Sequence, residues 1–192
     1  MRQTEIIPEL PGYTIEKRTV SLIKANILAI VAFVLVLAIG LITCKLVHPN
    51  CDLEAFPRVG ILFIVAIFLG VAVHEFIHGF TWMLITHSGW NHLRFGFMKG
   101  NPYCHIDVPM DKKGYVIGAL MPLWLLGVIP WLIGVFAGSF PLILWGSIFI
   151  ASAMGDVLIV WGIRHELATA KVYDHPSEAG CVVYKYEDKH IE

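Results

Sequence analysis

Long apolar stretches separated by shorter polar segments dominate the pattern of residues along the chain. A helix needs roughly 20 apolar residues to cross about 30 Å of hydrocarbon, and each stretch reaches that length. The stretch from residue 114 to residue 155 carries no charge and is too long for one crossing, but the turn-like sequence Gly-Ser-Phe-Pro at 138–141 divides it. We therefore predict a single membrane domain, 1–192, with transmembrane helices at 21–47, 59–86, 115–137 and 141–163.

The fold class that this pattern predicts is an all-α integral membrane protein. Between the second and third spans, 93–97 and 103–108 have strand-like composition and are joined by turn residues, so a short cytoplasmic β-hairpin is the one expected addition. The polar segment 1–20 delays the first span too long for a cleavable signal, and we expect that span to be retained. The tail, 164–192, contains a strand-like run at 181–184.

Composition agrees with a lipid environment. Hydrophobic residues make up 57% and charged residues 15% of the 192 positions, and mean hydropathy is +0.70. The net charge of -1 and the pI near 6.7 provide no basic surface of the kind that binds nucleic acid. The expected partners are therefore the lipid bilayer and a membrane-protein or peptide substrate, without nucleic acid, and the sequence does not define an oligomer.

The cysteines show no metal-binding C-x-x-C spacing. Cys44 and Cys51 are close enough in sequence to form a disulfide, but unpaired thiols at all positions, including Cys104 and Cys181, are the favoured interpretation.

Basic residues predict the orientation, because they concentrate in cytoplasmic segments. They fall before span one, between spans two and three, and after span four: Arg2, Lys17, Arg18, Arg94, Lys99, Lys112, Lys113, Arg164 and Lys171. The opposite side has little beyond Lys45 and Arg58. We expect a multi-pass protein of the cell membrane whose termini and 87–113 loop face the cytoplasm.

Span two contains His74-Glu75-Phe76-Ile77-His78, an H-E-x-x-H pattern. A helix places these two histidines one turn apart on one face. Their imidazole nitrogens can reach one Zn2+, while Glu75 can accept a proton from a water that the metal activates. Because an ionisable residue near the bilayer centre costs about 2.5–3.5 kcal/mol, metal binding is favoured over a purely structural role in helix packing.

A catalytic zinc site normally has a third protein ligand. Asp156 is the best candidate, because it is the acidic residue within spans three and four and lies about as deep as His78. The competing ligands are histidines at or beyond the cytoplasmic boundary, which a loop could fold inward: His87, His105 and His165.

HEFIH in a hydrophobic span, followed by an aspartate in a later span, resembles the site-2 protease class of intramembrane zinc metalloproteases. A closer resemblance is to a group of short membrane proteins described as putative zincin peptidases. It rests on HEFIHG, on GALMP at 118–122 and on Gly-Asp at 155–156, and it extends from span one through 174–176. The surrounding Met-Gly-Asp-Val differs from the Asn-Pro-Asp-Gly context usual in site-2 proteases.

The resemblance implies that His74, His78 and Asp156 bind zinc and that Glu75 is the catalytic base. We therefore expect an intramembrane zinc metalloprotease that hydrolyses peptide bonds of membrane-associated substrates. The alternatives are a non-catalytic zinc-binding membrane protein, serving as a transporter, sensor or scaffold, and a peptidase that acts on soluble peptides at the membrane surface. Histidine and carboxylate ligands would also suit other first-row ions, and zinc is preferred because of the resemblance.

Overall fold

The computed structural model describes residues 7–49, 56–98 and 100–186. Arg2, Cys51 and Lys99 lie outside the described residues. The α-helices of the described part are α1 (Leu22–Val47), α2 (Phe56–Thr86, with non-helical backbone at Gly60), α3 (Lys112–Pro122), α4 (Ile129–Ala137), α5 (Phe140–Ser152) and α6 (Met154–Gly162).

These helices form four stretches that are long and apolar enough to cross a membrane within the described residues. The first two are α1 and the part of α2 from Gly60. The third joins α3 to α4 through a π-helical segment, Leu123–Val128, so it continues through both of its prolines. The fourth joins α5 to α6 at Ala153. The chain is consistent with a multi-pass membrane protein.

The surfaces of α1 and α2 fit a lipid environment. Large apolar side chains along both helices face outward, such as Ile30, which is 66% exposed, and Leu62, which is 75% exposed. Contiguous apolar surface of this extent is rare on soluble monomers. At the start of α1, the Ser21 hydroxyl accepts a hydrogen bond from the Lys24 amide at 3.5 Å and caps the helix.

The structure is not all-α, and this part of the predicted fold class is wrong. Two antiparallel sheets accompany the helices. The expected hairpin is present as a two-stranded sheet, and a four-stranded sheet in the order β1-β6-β5-β4 joins the segment before α1 to the segment after α6. The strands are β1 (Tyr13–Thr19), β2 (Leu93–Met98), β3 (Asn101–Ile106), β4 (Met110–Asp111), β5 (Lys171–Asp174) and β6 (Gly180–Tyr186).

The four-stranded sheet packs against one end of the helices and forms the largest apolar core described. Successive side chains of β5 and β6 point to opposite faces of the sheet, and both faces are buried: Val172 and Val183 lie in this core, and Tyr173 and Val182 lie in a second cluster. The buried members of this cluster are Trp82, Ile106, Met110, Tyr115, Ala119, Ile163, Val172, Cys181 and Val183. The core fixes the sheet beside the parts of the helices that carry the candidate metal ligands.

Cys44 is disulfide-bonded, and its partner lies outside the described residues. Cys104 and Cys181 are free and buried. The expectation of unpaired thiols is therefore wrong for Cys44 and confirmed for the other two. Cys44 lies in the last turn of α1, at the end of the helix remote from the four-stranded sheet, where it packs with Val135 and Ile143.

Candidate metal centre

The histidines of the H-E-x-x-H pattern lie together on the inner face of α2. His74 and His78 are one turn apart, both are buried, and their ring centroids are 4.8 Å apart. Helical periodicity alone produces this pairing, because residues four positions apart share a face.

Asp156 of α6 meets both rings. Its Oδ2 atom is 3.5 Å from Nε2 of His74 and 3.5 Å from Nε2 of His78. The three side chains can each offer one ligand atom, and these atoms lie within 4.8 Å of one another. Ligand atoms at about 2.1 Å from a tetrahedral zinc are roughly 3.4 Å apart, so the spacing and the two-nitrogen, one-oxygen donor set suit zinc with one open position.

The ring of His78 is oriented by a backbone carbonyl. Its Nδ1–H donates a hydrogen bond to the Gly118 oxygen at 2.9 Å, which leaves the Nε2 lone pair directed at Asp156 and the metal position. Gly118 can accept this bond because Pro122, four residues later in α3, has no N–H to donate to it. GALMP, at 118–122, therefore supplies both the acceptor and the proline that frees it.

Close contact between α2 and α3 makes this hydrogen bond possible. A side chain at Gly118 would overlap the indole ring of Trp82, which lies one turn after His78 on α2. That indole stacks on the His78 ring, with centroids 5.4 Å apart, and donates a hydrogen bond from Nε1 to the Tyr115 oxygen at 3.0 Å. His78 is thus held by a backbone acceptor on α3 and by an aromatic ring on α2, the helix to which His78 belongs.

Glu75 lies next to His74 and reaches the hairpin. Its carboxylate faces the backbone N–H of Cys104, in the middle of β3. The strand approaches α2 closely here, because a Cβ at Gly79 would lie 2.7 Å from the Cys104 sulfur. The hairpin therefore positions the carboxylate that the sequence predicts as catalytic base.

The histidines that compete with Asp156 lie elsewhere. His105 is buried, and its Nδ1 is 3.0 Å from Oδ2 of Asp174. His87 and His165 are exposed at the ends of their helices. Of the candidate third ligands, the structure brings Asp156 to the histidine pair.

A second buried polar cluster was not expected from the sequence. Asp174, at the end of β5, accepts hydrogen bonds from His105 Nδ1 and from the Tyr115 hydroxyl, each at 3.0 Å. Burial raises the pKa of the Asp174 carboxyl, and the hydrogen bond from His105 opposes that shift. The sequence marked His105 only as a possible metal ligand, and an acid before a His-Pro pair by itself predicts a turn.

The free thiols near this region are unreactive in character. Burial raises the pKa of Cys181 to about 12 and also raises the pKa of Cys104. Because the thiolate is the form that reacts and binds metals, and a raised pKa keeps both thiols protonated at neutral pH, neither side chain is suited to be a nucleophile or a metal ligand.

A cavity of 370 Å³ opens beside the metal centre. Its wall includes Glu75 and Asp156, the 101–104 part of β3, the first turns of α1 and the 178–180 turn before β6. This volume falls within the usual range of ligand-binding sites. An extended segment of a few residues could therefore lie between β3 and α1 with one peptide bond near the histidines.

The sequence model of a family described as Putative zincin peptidase matches residues 67–170, which is more than half of the chain, and the chain belongs to this family. The matched region contains the whole ligand set, the GALMP segment and the hairpin, and ends before Asp174. Family membership suggests a zinc metallopeptidase and implies zinc, and the group of His74, His78 and Asp156 could hold a metal ion. Comparison with curated proteins gave no match, and comparison with solved structures gave none.

Proposed function

We propose that this protein is an intramembrane zinc metalloprotease of site-2 protease type that hydrolyses peptide bonds of membrane-associated substrates. One observation carries the proposal: Asp156 of the fourth apolar helix lies 3.5 Å from the inward nitrogens of both HExxH histidines, which belong to the second apolar helix. Ionisable groups within membrane-spanning helices are energetically costly, so a cluster of them usually marks a functional site.

The roles of the residues follow from their positions. His74, His78 and Asp156 would hold zinc, which when bound polarises the scissile carbonyl and acidifies the attacking water. Glu75 accepts one proton from that water as the water oxygen forms a bond to the carbonyl carbon. Glu75 then returns the proton to the amide nitrogen as the carbon–nitrogen bond breaks, so the products are a carboxylic acid and an amine.

The substrate must be extended at the point of cleavage, because a helix hides its peptide groups in internal hydrogen bonds. Within the described residues, β3 pairs with β2 along one edge only, and its 101–104 part lines the cavity. An unfolded segment of a membrane protein could add to the open edge of β3 as a further strand. That placement would present a peptide bond to Glu75, which already contacts the backbone of this strand.

The proposed location is the cell membrane, with both termini and the metal-bearing ends of the helices on the cytoplasmic side. An excess of Lys and Arg in the corresponding segments supports this orientation. The disulfide of Cys44, at the opposite end of α1, agrees with it, because disulfides persist in oxidising compartments outside the cytoplasm.

The test compares purified wild type, Glu75→Gln and Asp156→Ala in detergent, with Glu9→Gln as a control at an exposed acid outside the cavity. Bound zinc and cleavage of a panel of membrane-anchored peptides are measured on the same samples. We expect Glu75→Gln to retain zinc but lose cleavage, Asp156→Ala to lose zinc, and Glu9→Gln to behave as wild type.

Other results would overturn the proposal in different ways. A wild-type protein that binds no metal would make the ligand cluster structural. Stoichiometric zinc without cleavage of any peptide would favour the non-catalytic alternative, and cleavage restricted to soluble peptides would favour a surface peptidase. Cleavage that survives Glu75→Gln would remove Glu75 from the role of base.

A further inference from the structure

Asp174 uses both of its carboxylate oxygens to join two elements that are far apart in sequence. Oδ2 accepts the hydrogen bond of His105 on β3, and Oδ1 accepts that of Tyr115 on α3. All three side chains are buried. Withdrawing a carboxylate from water costs several kcal/mol unless hydrogen bonds compensate, so loss of either donor would leave the buried acid poorly satisfied. The position of β5 is therefore coupled to the positions of β3 and α3.

The first branch of this coupling leads to Glu75. His105 directly follows Cys104, whose backbone N–H faces the Glu75 carboxylate where β3 lies closely against α2 at Gly79. Cys104 and His105 are paired with β2 in the same antiparallel ladder, so a displacement of one residue is carried to the other. Fixing the His105 ring thus fixes the donor that orients the proposed base.

The second branch leads to His78. The Tyr115 backbone oxygen accepts the hydrogen bond from Trp82, whose ring stacks both on Tyr115, with centroids 5.3 Å apart, and on His78. Tyr115 also lies one turn before Gly118, the acceptor for the His78 ring. The hydroxyl of Tyr115 thus anchors the first turn of α3, from which both supports of His78 extend.

We propose that Asp174 is a positioning residue for the metal centre: through His105 it sets Glu75, and through Tyr115 it sets His78. This inference rests on the proposed function for its catalytic readout. It gives the segment after α6 a task beyond closing the sheet, since this segment carries the residue that holds β3 against α2. Asp174 does not itself act on substrate.

The experiment uses the full chain in detergent as wild type, Asp174→Ala and Lys171→Ala. Lys171 is the matched control, because it lies on the same strand and its partner Asp111 is an exposed acid at 2.8 Å. Alkylation of Cys104 is followed by mass spectrometry in the metal-free protein. Zinc affinity is measured by chelator competition, and kcat and KM are measured at saturating zinc.

We expect Asp174→Ala to speed alkylation of Cys104 by about ten-fold or more relative to both other proteins, because β3 separates from α2 locally. Zinc affinity and kcat should each fall by about 10- to 100-fold, which is typical for loss of a residue that orients ligands, while KM changes little. Lys171→Ala should match wild type in every measurement. If Asp174→Ala does not fold, Asp174→Asn takes its place with smaller changes in the same directions.

Two results would overturn the inference. Cys104 as well protected in the Asp174 variants as in wild type would show that β3 does not depend on the carboxylate. A more reactive Cys104 with unchanged zinc affinity would show that Asp174 holds the tail without positioning the metal centre. Cys104 alkylation and zinc affinity are both measured without catalysis. A wild type that cleaves no peptide would therefore refute the proposed function, while these two measurements would still test the role of Asp174.

Discussion

Gly118 lies where α3 packs against α2, directly against the Trp82 ring. A methyl group there has no space unless the indole moves away from His78 or the helices separate. At the scale of single residues, the candidate metal centre thus requires glycine at position 118, because any side chain there would overlap the Trp82 ring. The candidate ligands are polar side chains, and a backbone atom, the Gly118 oxygen, orients one of them.

We predict that Gly118→Ala lowers the stability of the protein by about 1–3 kcal/mol, the usual cost of overpacking a closely packed contact. The comparison is with Gly162→Ala, because a Cβ at Gly162 meets nothing within 4 Å. Thermal unfolding in detergent measures both. Equal midpoints for the two variants would contradict the prediction.

The identities of the ligand candidates were accessible from the sequence, and their surroundings were not. Helical spacing pairs His74 with His78, and a charge that interrupts an apolar span draws attention to Asp156. The role of these residues as zinc ligands stays a prediction, although the structure brings them together. Asp174 and the Gly118 carbonyl escaped notice because an acid in a tail and a backbone oxygen gain meaning only from tertiary contacts.

At the scale of elements, the third span shows how a helix-disrupting residue can serve a site. Pro122 ends α3 and precedes the π-helical segment, and Pro130 follows that segment at the start of α4. Membrane helices tolerate such residues where another group satisfies the freed carbonyl. For Pro122 that group is the His78 ring.

We predict that Pro122→Ala weakens zinc binding by about ten-fold without unfolding the protein. The new N–H would compete with His78 for the Gly118 oxygen, and loss of an orienting hydrogen bond costs a metal site about this much. Pro130→Ala is the control, because Pro130 lies at the start of α4 and is separated from Gly118 by the π-helical segment. Chelator competition gives both affinities, and identical values would refute the prediction.

The apolar helices followed from the sequence because lipid leaves the backbone no partner but itself, so length and hydropathy nearly determine them. The hairpin was also accessible, because its two strands are adjacent and joined by turn residues. The four-stranded sheet was not. β1 pairs with β6, as in the Tyr13–Tyr186 register, and no local pattern reveals a partner at the other end of the chain. Most side chains of β1 are exposed, so its alternation of buried and exposed positions is weak.

For the whole molecule, the even number of apolar helices and the β1–β6 pairing place both ends of the described chain at the same end of the helices. In the proposed orientation, which the excess of basic residues favours, that end faces the cytoplasm.

We therefore predict that fluorescent protein fused to either end of the chain fluoresces in a bacterial host, whereas alkaline phosphatase fused there stays inactive. Phosphatase inserted between α1 and α2, in the segment that follows Cys44, should be active because it would be exported. Active phosphatase at either end would reverse the orientation and place the metal centre on the opposite side.

The pairing of β1 with β6 also has a consequence for biogenesis. β1 is synthesised before the first membrane crossing and β6 after the fourth, so the sheet cannot close while the ribosome is still feeding helices into the bilayer. Asp174 arrives in that same late segment. A nascent chain can thus hold all three ligand side chains in the membrane before the strand that braces them has been made. If the proposed function and the proposed role of Asp174 both hold, the enzyme reaches its full activity only after its own insertion is finished.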